Sequence, residues 1–211
     1  MARRKKEDPI VHQNRIANEA ELLFSEKGID HTSMDEVARS AGYSKATLYV
    51  YFKNKEEIVS FLVLRSMNKL KYALLEAVNA SKDSKAQFKA ICNALVNYQE
   101  EYPEYFDMTL KYIDIDTDDK ENSFDYQTYQ VGEEINACLS KYLEDGEKKK
   151  EICLKESRFV TIFHMWGMIS GLIKIASEKK EYIEMAGKIK KSEFLESGFE
   201  TIYRIIENSE K

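Results

Sequence analysis

From Thr32 to Lys55 the chain reads TSMDEVARSAGYSKATLYVYFKNK, and within these 24 residues it signals the start of a helix three times. Thr32 and Asp35 set a hydroxyl and a carboxylate three residues apart, the spacing that satisfies the free amides of a first helical turn. Met34, Val37, Ala38 and Ala41 then share one helical face. Gly42 can take the left-handed conformation that closes a helix, and Ser44 can cap the next one at once. Asn54 with Glu57 caps a third. Two short helices joined by about four residues that include a glycine form a helix-turn-helix unit. In such a unit the second helix, here Lys45 to Tyr51, can enter a DNA major groove with its first residues against base edges.

The side chains suit that task. Lys45 can donate to guanine O6 and N7, and Thr47 can bond a base edge or touch a thymine methyl. Tyr49, Tyr51, Lys53 and Lys55 fit phosphate contacts, which fix register without reading sequence. The positive end of the third helix points at the same backbone as Lys55. Leu48 and Phe52 anchor the short helix to a small core. The same geometry also arises as plain packing, so the caps alone do not decide between the two.

The order of these residues resembles the DNA-binding domain of the TetR (tetracycline-repressor) family of bacterial transcriptional regulators. The resemblance rests on Ala20, Leu23-Phe24, Gly28, Thr32-Ser33-Met34, Val37-Ala38, Ala41-Gly42, Ser44, Thr47-Leu48-Tyr49, Tyr51-Phe52 and Asn54-Lys55-Glu56. It implies that Ser44, Lys45, Ala46, Thr47 and Tyr49 line the groove, while Thr32, Ser33, Tyr51 and Lys55 grip phosphates. Tyr43 belongs with the DNA-facing set but departs from the family, which usually has a small branched residue there. The resemblance covers the first quarter of the chain and implies a DNA-binding domain over 1–55 and a helical ligand-binding and dimerisation domain over 56–211.

Composition agrees with an all-α fold of that kind. Eight Gly and two Pro in 211 residues leave few helix breakers. The net charge of −5 looks wrong for a DNA binder until the chain is divided. Residues 1–55 hold ten Lys/Arg against eight Asp/Glu, and the remainder holds 22 against 29. A basic end and an acidic body fit a protein that turns one end to phosphates. Arg3-Arg4-Lys5-Lys6 reads as a solvated tail or as an arm adding phosphate attraction.

Along the chain, Asp8-Pro9 opens a first helix whose stripe is Ile16, Ala17, Ala20, Leu23 and Phe24, closed at Gly28. A long helix follows from Lys55 to about Ala80, then another from Lys85 to Glu101, which Pro103 stops. Tyr98, Tyr102, Tyr105, Phe106 and Tyr112 come close together. Aromatics at helical spacing are ordinarily core, but this density of hydroxyls also suits an apolar pocket with a few polar groups. With the family resemblance, Tyr98, Tyr102, Phe106, Tyr129, Phe163 and Trp166 become candidate ligand residues. Asp114, Asp116, Asp118 and Asp125 imitate a calcium loop, yet Asp119 stands where its sharp turn needs glycine, so a solvated acidic loop is expected.

The next helix is expected over Phe124 to about Leu143, ended by Glu144-Asp145-Gly146. The helix from Leu154 to Ala176 has two apolar faces: Phe159, Ile162, Phe163, Trp166, Ile169 and Ile173 on one, Val160, His164, Gly167, Gly171 and Ile175 on the other. Its uncharged run of 15 residues falls short of the roughly 20 that span a bilayer. A soluble helix apolar on two sides is buried on two sides. The last helix, Ser192 to Glu207, is similar. Together these predict a homodimer seam that includes Val160, His164, Gly167, Gly171, Ile175, Phe199, Ile202 and Ile206, with His164 a packed histidine and not a ligand.

No glycine-rich phosphate loop, GxSxG, HExxH or metal-spaced Cys/His set is present, so neither an enzyme nor a metal or cofactor site is expected. Cys92, Cys138 and Cys153 are far apart and read as reduced thiols, and no apolar leader precedes them, which together suggest a cytoplasmic protein. The resulting expectation is a ligand-responsive repressor, dimeric on double-stranded DNA, released by an apolar or aromatic small molecule. Its rivals are an architectural or partner-recruiting DNA factor without an effector, and an enzyme on a helical core.

Overall fold

A computed structural model of the chain describes residues 7–110 and 123–208. The described residues are all-α, with one isolated bridge between Ile152 and Glu207. The helices are α1 (Pro9–Lys27), α2 (Met34–Ala41), α3 (Lys45–Tyr51), α4 (Lys55–Asn79) and α5 (Ser84–Glu101), followed by α6 (Pro103–Met108), α7 (Phe124–Lys148), α8 (Arg158–Glu178), α9 (Lys180–Ala186) and α10 (Lys191–Tyr203). Arg3 to Lys6, Tyr112, and the aspartates at 114, 116, 118 and 119 lie outside the described residues. Contacts divide the chain into one unit of Met1–Arg65 with Asp114–Thr128 and another of Ser66–Ile113 with Tyr129–Lys211. The first unit therefore extends past the boundary at residue 55 and includes the first turn of α7.

In the first unit, Ile16, Ala17 and Ala20 of the stripe read from the sequence are in the core, while Leu23 and Phe24 are half-buried. Ile16, Ala17, Ala20, Val37, Ala38, Ala41, Leu48, Phe52, Ile58, Phe61 and Leu62 are all buried. Phe52, Phe61 and Phe124 meet as a ring triad, with centroids 5.6 Å apart for Phe52–Phe61, 6.1 Å for Phe52–Phe124 and 5.1 Å for Phe61–Phe124. Arg65 on α4 bonds Asn18 at 2.5 Å and Glu21 at 2.6 Å on α1.

The second unit packs α5, α8 and α10 against one another. Its buried residues include Phe88, Ile91, Leu95, Ile162, Met165, Ile169, Ile173, Leu195, Phe199, Ile202 and Tyr203. The Tyr142 hydroxyl donates to the Ser84 carbonyl at 3.0 Å. By length and composition α8 could cross a membrane, but its inner side is buried against α5 and α10, the behaviour of a core helix.

Three boundaries differ from the sequence reading. α7 does not end at Leu143 but continues through Gly146 to Lys148. Gly146 is there because Ile152 crosses so closely that a Cβ would collide with its side chain. α8 begins after Ser157, whose hydroxyl accepts from the Val160 amide at 3.3 Å, instead of at Leu154. α10 ends at Tyr203, and the chain then turns so that the Ile206 carbonyl accepts from the Cys153 amide at 2.8 Å.

Candidate nucleic-acid interface

The turn between α2 and α3 is built as its residues dictate. Gly42 sits at φ 74°, ψ 29°, the left-handed region open to glycine, and Tyr43 N–H donates back to the Ala38 carbonyl at 2.8 Å. Ser44 caps α3: its hydroxyl accepts from the Thr47 amide at 3.1 Å and lies 2.8 Å from the Thr47 hydroxyl. α3 has seven residues, too few to persist alone, so Leu48 and Phe52, both buried, hold it.

The cap of α2 stands one residue later than the sequence suggested. Ser33, not Thr32, is the N-cap, and the box closes with Glu36 instead of Asp35. The Ser33 amide donates to Glu36 Oε2 at 2.8 Å and the Glu36 amide donates to Ser33 Oγ at 3.3 Å. Thr32 is buried, with its hydroxyl donating to the Gly28 carbonyl at 2.9 Å. The expectation that this side chain grips phosphate is thereby corrected, since the hydroxyl serves the open carbonyl end of α1. Asp35 is left free for another partner: its Oδ1 lies 2.8 Å from Lys45 Nζ, and that carboxylate raises the lysine's pKa.

The outward face of α3 presents Lys45, Ala46, Tyr49 and Val50, with Ser44 exposed before it and Lys53 after it. Thr47 is half-buried. Lys55 is also half-buried, and its ammonium donates to the Ile29 carbonyl at 2.8 Å, bracing the α1–α2 connection. Glu36 is held down to about 2, first by its hydrogen bond from Lys27 at 2.5 Å and then by Ser33.

Tyr43 and Tyr51 meet at a residue that the sequence did not single out. His12 Nδ1 is 2.7 Å from the Tyr43 hydroxyl, and the His12 ring stacks on Tyr51 with centroids 5.1 Å apart at 30°. The Arg15 guanidinium covers Tyr43 at 5.5 Å. His12 and Tyr43 are 31 residues apart, so no local spacing could have paired them.

In the second unit, Tyr98, Tyr102, Phe106 and Trp166 come together as a chain of rings. Centroid distances are 5.6 Å for Tyr98–Tyr102, 6.4 Å for Tyr98–Phe106 and 6.3 Å for Phe106–Trp166. The Tyr98 hydroxyl is 2.7 Å from Ser66 Oγ. Tyr98 and Tyr102 also border a groove of about 670 Å³ between α4 and α5. Tyr129 is half-buried on α7. Phe163 is not in the cluster: it is 49% exposed and lies against Phe159, centroids 4.8 Å apart.

Of the residues expected at a dimer seam, His164, Gly167 and Ile175 are exposed on α8, and Val160 and Gly171 are half-buried there. Phe159, at 65% exposure, joins this outer stripe instead of the inner face. Phe199, Ile202 and Ile206 are buried inside their own chain. Alternating apolar positions on α10 are satisfied by its own neighbours α5 and α8.

The sequence profile of bacterial regulatory proteins of the tetR family matches residues 16–60, the stretch that forms this interface. Over this stretch the chain is similar to the DNA-binding domain of the tetR family. An HTH-type transcriptional regulator of Staphylococcus aureus (strain bovine RF122 / ET3-1) is 33% identical over 63 residues, which is 30% of this chain and 34% of that protein. The chain thus spans about a third of the length of that relative. The biofilm operon icaADBC HTH-type negative transcriptional regulator IcaR of Staphylococcus aureus (strain Newman) is 27% identical over 70% of this chain and 75% of its own. Among solved structures, the TetR-family regulator PfmR from Thermus thermophilus superimposes with a TM-score of 0.62 at 25% identity, over 90% of this chain and 97% of PfmR. FadR from Bacillus subtilis, solved with stearoyl-CoA, shares the fold with a TM-score of 0.66 at 16% identity, over 92% and 98% of the two chains.

Proposed function

We propose that the protein is a homodimeric repressor that reads a pseudo-palindromic operator in the cytoplasm and lets go of it when an apolar or aromatic small molecule occupies its second unit. The observation that carries this reading is the outer face of α3, where Lys45, Ala46 and Tyr49 stand exposed on a helix fixed by Ser44, Leu48 and Phe52. Ser44, Lys45, Ala46, Thr47 and Tyr49 read the groove. Ser33, Tyr43, Tyr51, Lys53 and Lys55 meet phosphates, and Thr32 acts only by holding the end of α1. Two-fold symmetry sets half-sites roughly 34–36 Å apart or a multiple of that.

The dimer is favoured by the outer stripe of α8. Phe159, Phe163, Met168 and Ile175 leave apolar surface in water, and Gly167 and Gly171 have no neighbour within 4 Å of an added Cβ. Repression is supported by IcaR, described as a negative regulator. Effector binding is supported by the tyrosine-rich ring chain and by FadR's capture of an acyl-CoA on the same fold. A coupling of ~1–3 kcal/mol suffices for release.

Binding of the whole chain to a duplex selected from a random-sequence library tests the reading. Lys45→Ala should relax sequence preference by ~1–3 kcal/mol, whereas Lys55→Ala should weaken all duplexes alike and flatten the salt slope by about one unit. A chain that selects no duplex, or variants that bind as the parent does, would remove its basis.

A further inference from the structure

We infer that His12 is a positioning residue for the DNA-facing tyrosines, and that its protonation turns the Tyr43 hydroxyl outward as a donor to a DNA phosphate. The inference rests on the DNA-binding reading above but concerns a residue outside the helix-turn-helix.

The geometry is a clamp. The His12 ring stacks on Tyr51 at 30° and meets the Tyr43 ring edge-on, with centroids 5.1 and 5.8 Å away, while the Tyr43 and Tyr51 rings are 6.4 Å apart. Tyr51 closes α3 and Tyr43 opens the turn before it, so one imidazole on α1 holds both ends of the recognition segment. Among the described residues, the charged and titratable groups around it are Glu7, whose Oε2 is 3.7 Å from Nε2, the Tyr43 and Tyr51 phenols, and Arg15, which lies over the Tyr43 ring. His12 keeps a side-chain exposure of 22%, enough for proton exchange with solvent.

Hydrogen-bond direction supplies the switch. In the neutral ring with its proton on Nε2, toward Glu7, Nδ1 can only accept, so the Tyr43 O–H proton points inward at 2.7 Å. In the imidazolium both nitrogens donate. Tyr43 oxygen must then accept from Nδ1, and its own proton is released to another acceptor. The proton taken up comes from solvent, and no bond other than hydrogen bonds changes. An outward phenol beside a new positive charge favours a phosphate, and the added charge should steepen the dependence of log K on log salt by about 0.9. One charge-assisted contact amounts to about tenfold in affinity.

The test measures anisotropy of a selected, labelled duplex with the whole chain at about pH 8 and about pH 5.5, the range in which imidazoles change charge. The parent should bind about tenfold tighter at the lower pH, with the steeper salt slope. His12→Gln, which can bond Tyr43 but cannot gain charge, should lose both effects. Tyr43→Phe should lose most of the affinity gain, and the two substitutions should be non-additive. His31→Gln, on the exposed α1–α2 connection, should behave as the parent. Far-UV circular dichroism and thermal melting check that each variant folds. A pH effect that survives in His12→Gln, or additivity of the pair, overturns the inference while leaving DNA binding intact. Absence of any selected duplex overturns the DNA-binding reading instead.

Discussion

Replacing Phe52 by Ala should unfold the first unit before it abolishes any contact that could be drawn to DNA. Phe52 is 1% exposed and meets both Phe61 and Phe124. A phenylalanine ring buries roughly 150–250 Å², which at about 25 cal/mol per Å² gives an upper bound near 4–6 kcal/mol. Cores left with a cavity after Phe→Ala lose about 3–5 kcal/mol, so about 4 kcal/mol is expected here. In a unit of 60–100 residues each kcal/mol lowers Tm by roughly 4–8 °C, and the variant should melt some 15–30 °C early. Phe52→Leu keeps most of the volume and should cost no more than about 2 kcal/mol, yet it changes the packing of the residue that ends α3. Its DNA affinity should therefore fall more than its stability. The assay pairs urea unfolding by circular dichroism with anisotropy on a selected duplex. A Phe52→Ala loss below about 1 kcal/mol would refute the claim that this triad anchors α3.

Three further outcomes follow from single contacts. Glu36, held down to about 2 from an ordinary 4.5 by Lys27 and the α2 cap, contributes stability at and above pH 4.5 that is lost as pH falls through about 2. Urea midpoints of the parent should drop across that window, and in Glu36→Gln that contribution to the drop should be absent. Gly198→Ala drives a Cβ into the Leu172 side chain where α8 and α10 meet, and a thermal melt should show a loss of about 1–3 kcal/mol. Ile175→Asp changes a side chain that is 49% exposed, so the monomer should stay folded while sedimentation shows dimer lost. An unchanged sedimentation coefficient would argue against the α8 stripe as the seam.

Local signals in the sequence were sufficient wherever the structure depends on neighbours a few residues apart. Asp8-Pro9, Gly42, Ser44 and the Asn54–Glu57 cap do what their spacing predicts, with the Glu57 amide donating to Asn54 Oδ1 at 2.8 Å. Apart from the start of α8, which Ser157 caps locally, the misreadings below arise where a distant segment decides. Thr32 and Ser33 are equally able to cap α2 in isolation, and the choice falls to Ser33 because the free carbonyls of α1 draw Thr32 inward. Gly146 ends a helix in most contexts but continues one here because Ile152 needs the space. Phe199, Ile202 and Ile206 carry the same apolar periodicity whether a second copy or their own chain covers them, and in the structure they are buried within their own chain.

The same distinction explains the interface. Periodicity and capping locate α3 and its outward residues, since both are properties of a few consecutive positions. They say nothing about His12, because the contact that ties it to Tyr43 exists only after α1 folds back against the turn. A bulky phenol at position 43 requires a partner for its hydroxyl on the face of α1, and His12 supplies it at 2.7 Å. A change at Tyr43 should therefore be felt at Tyr51, eight residues on and across the recognition helix, through one shared imidazole.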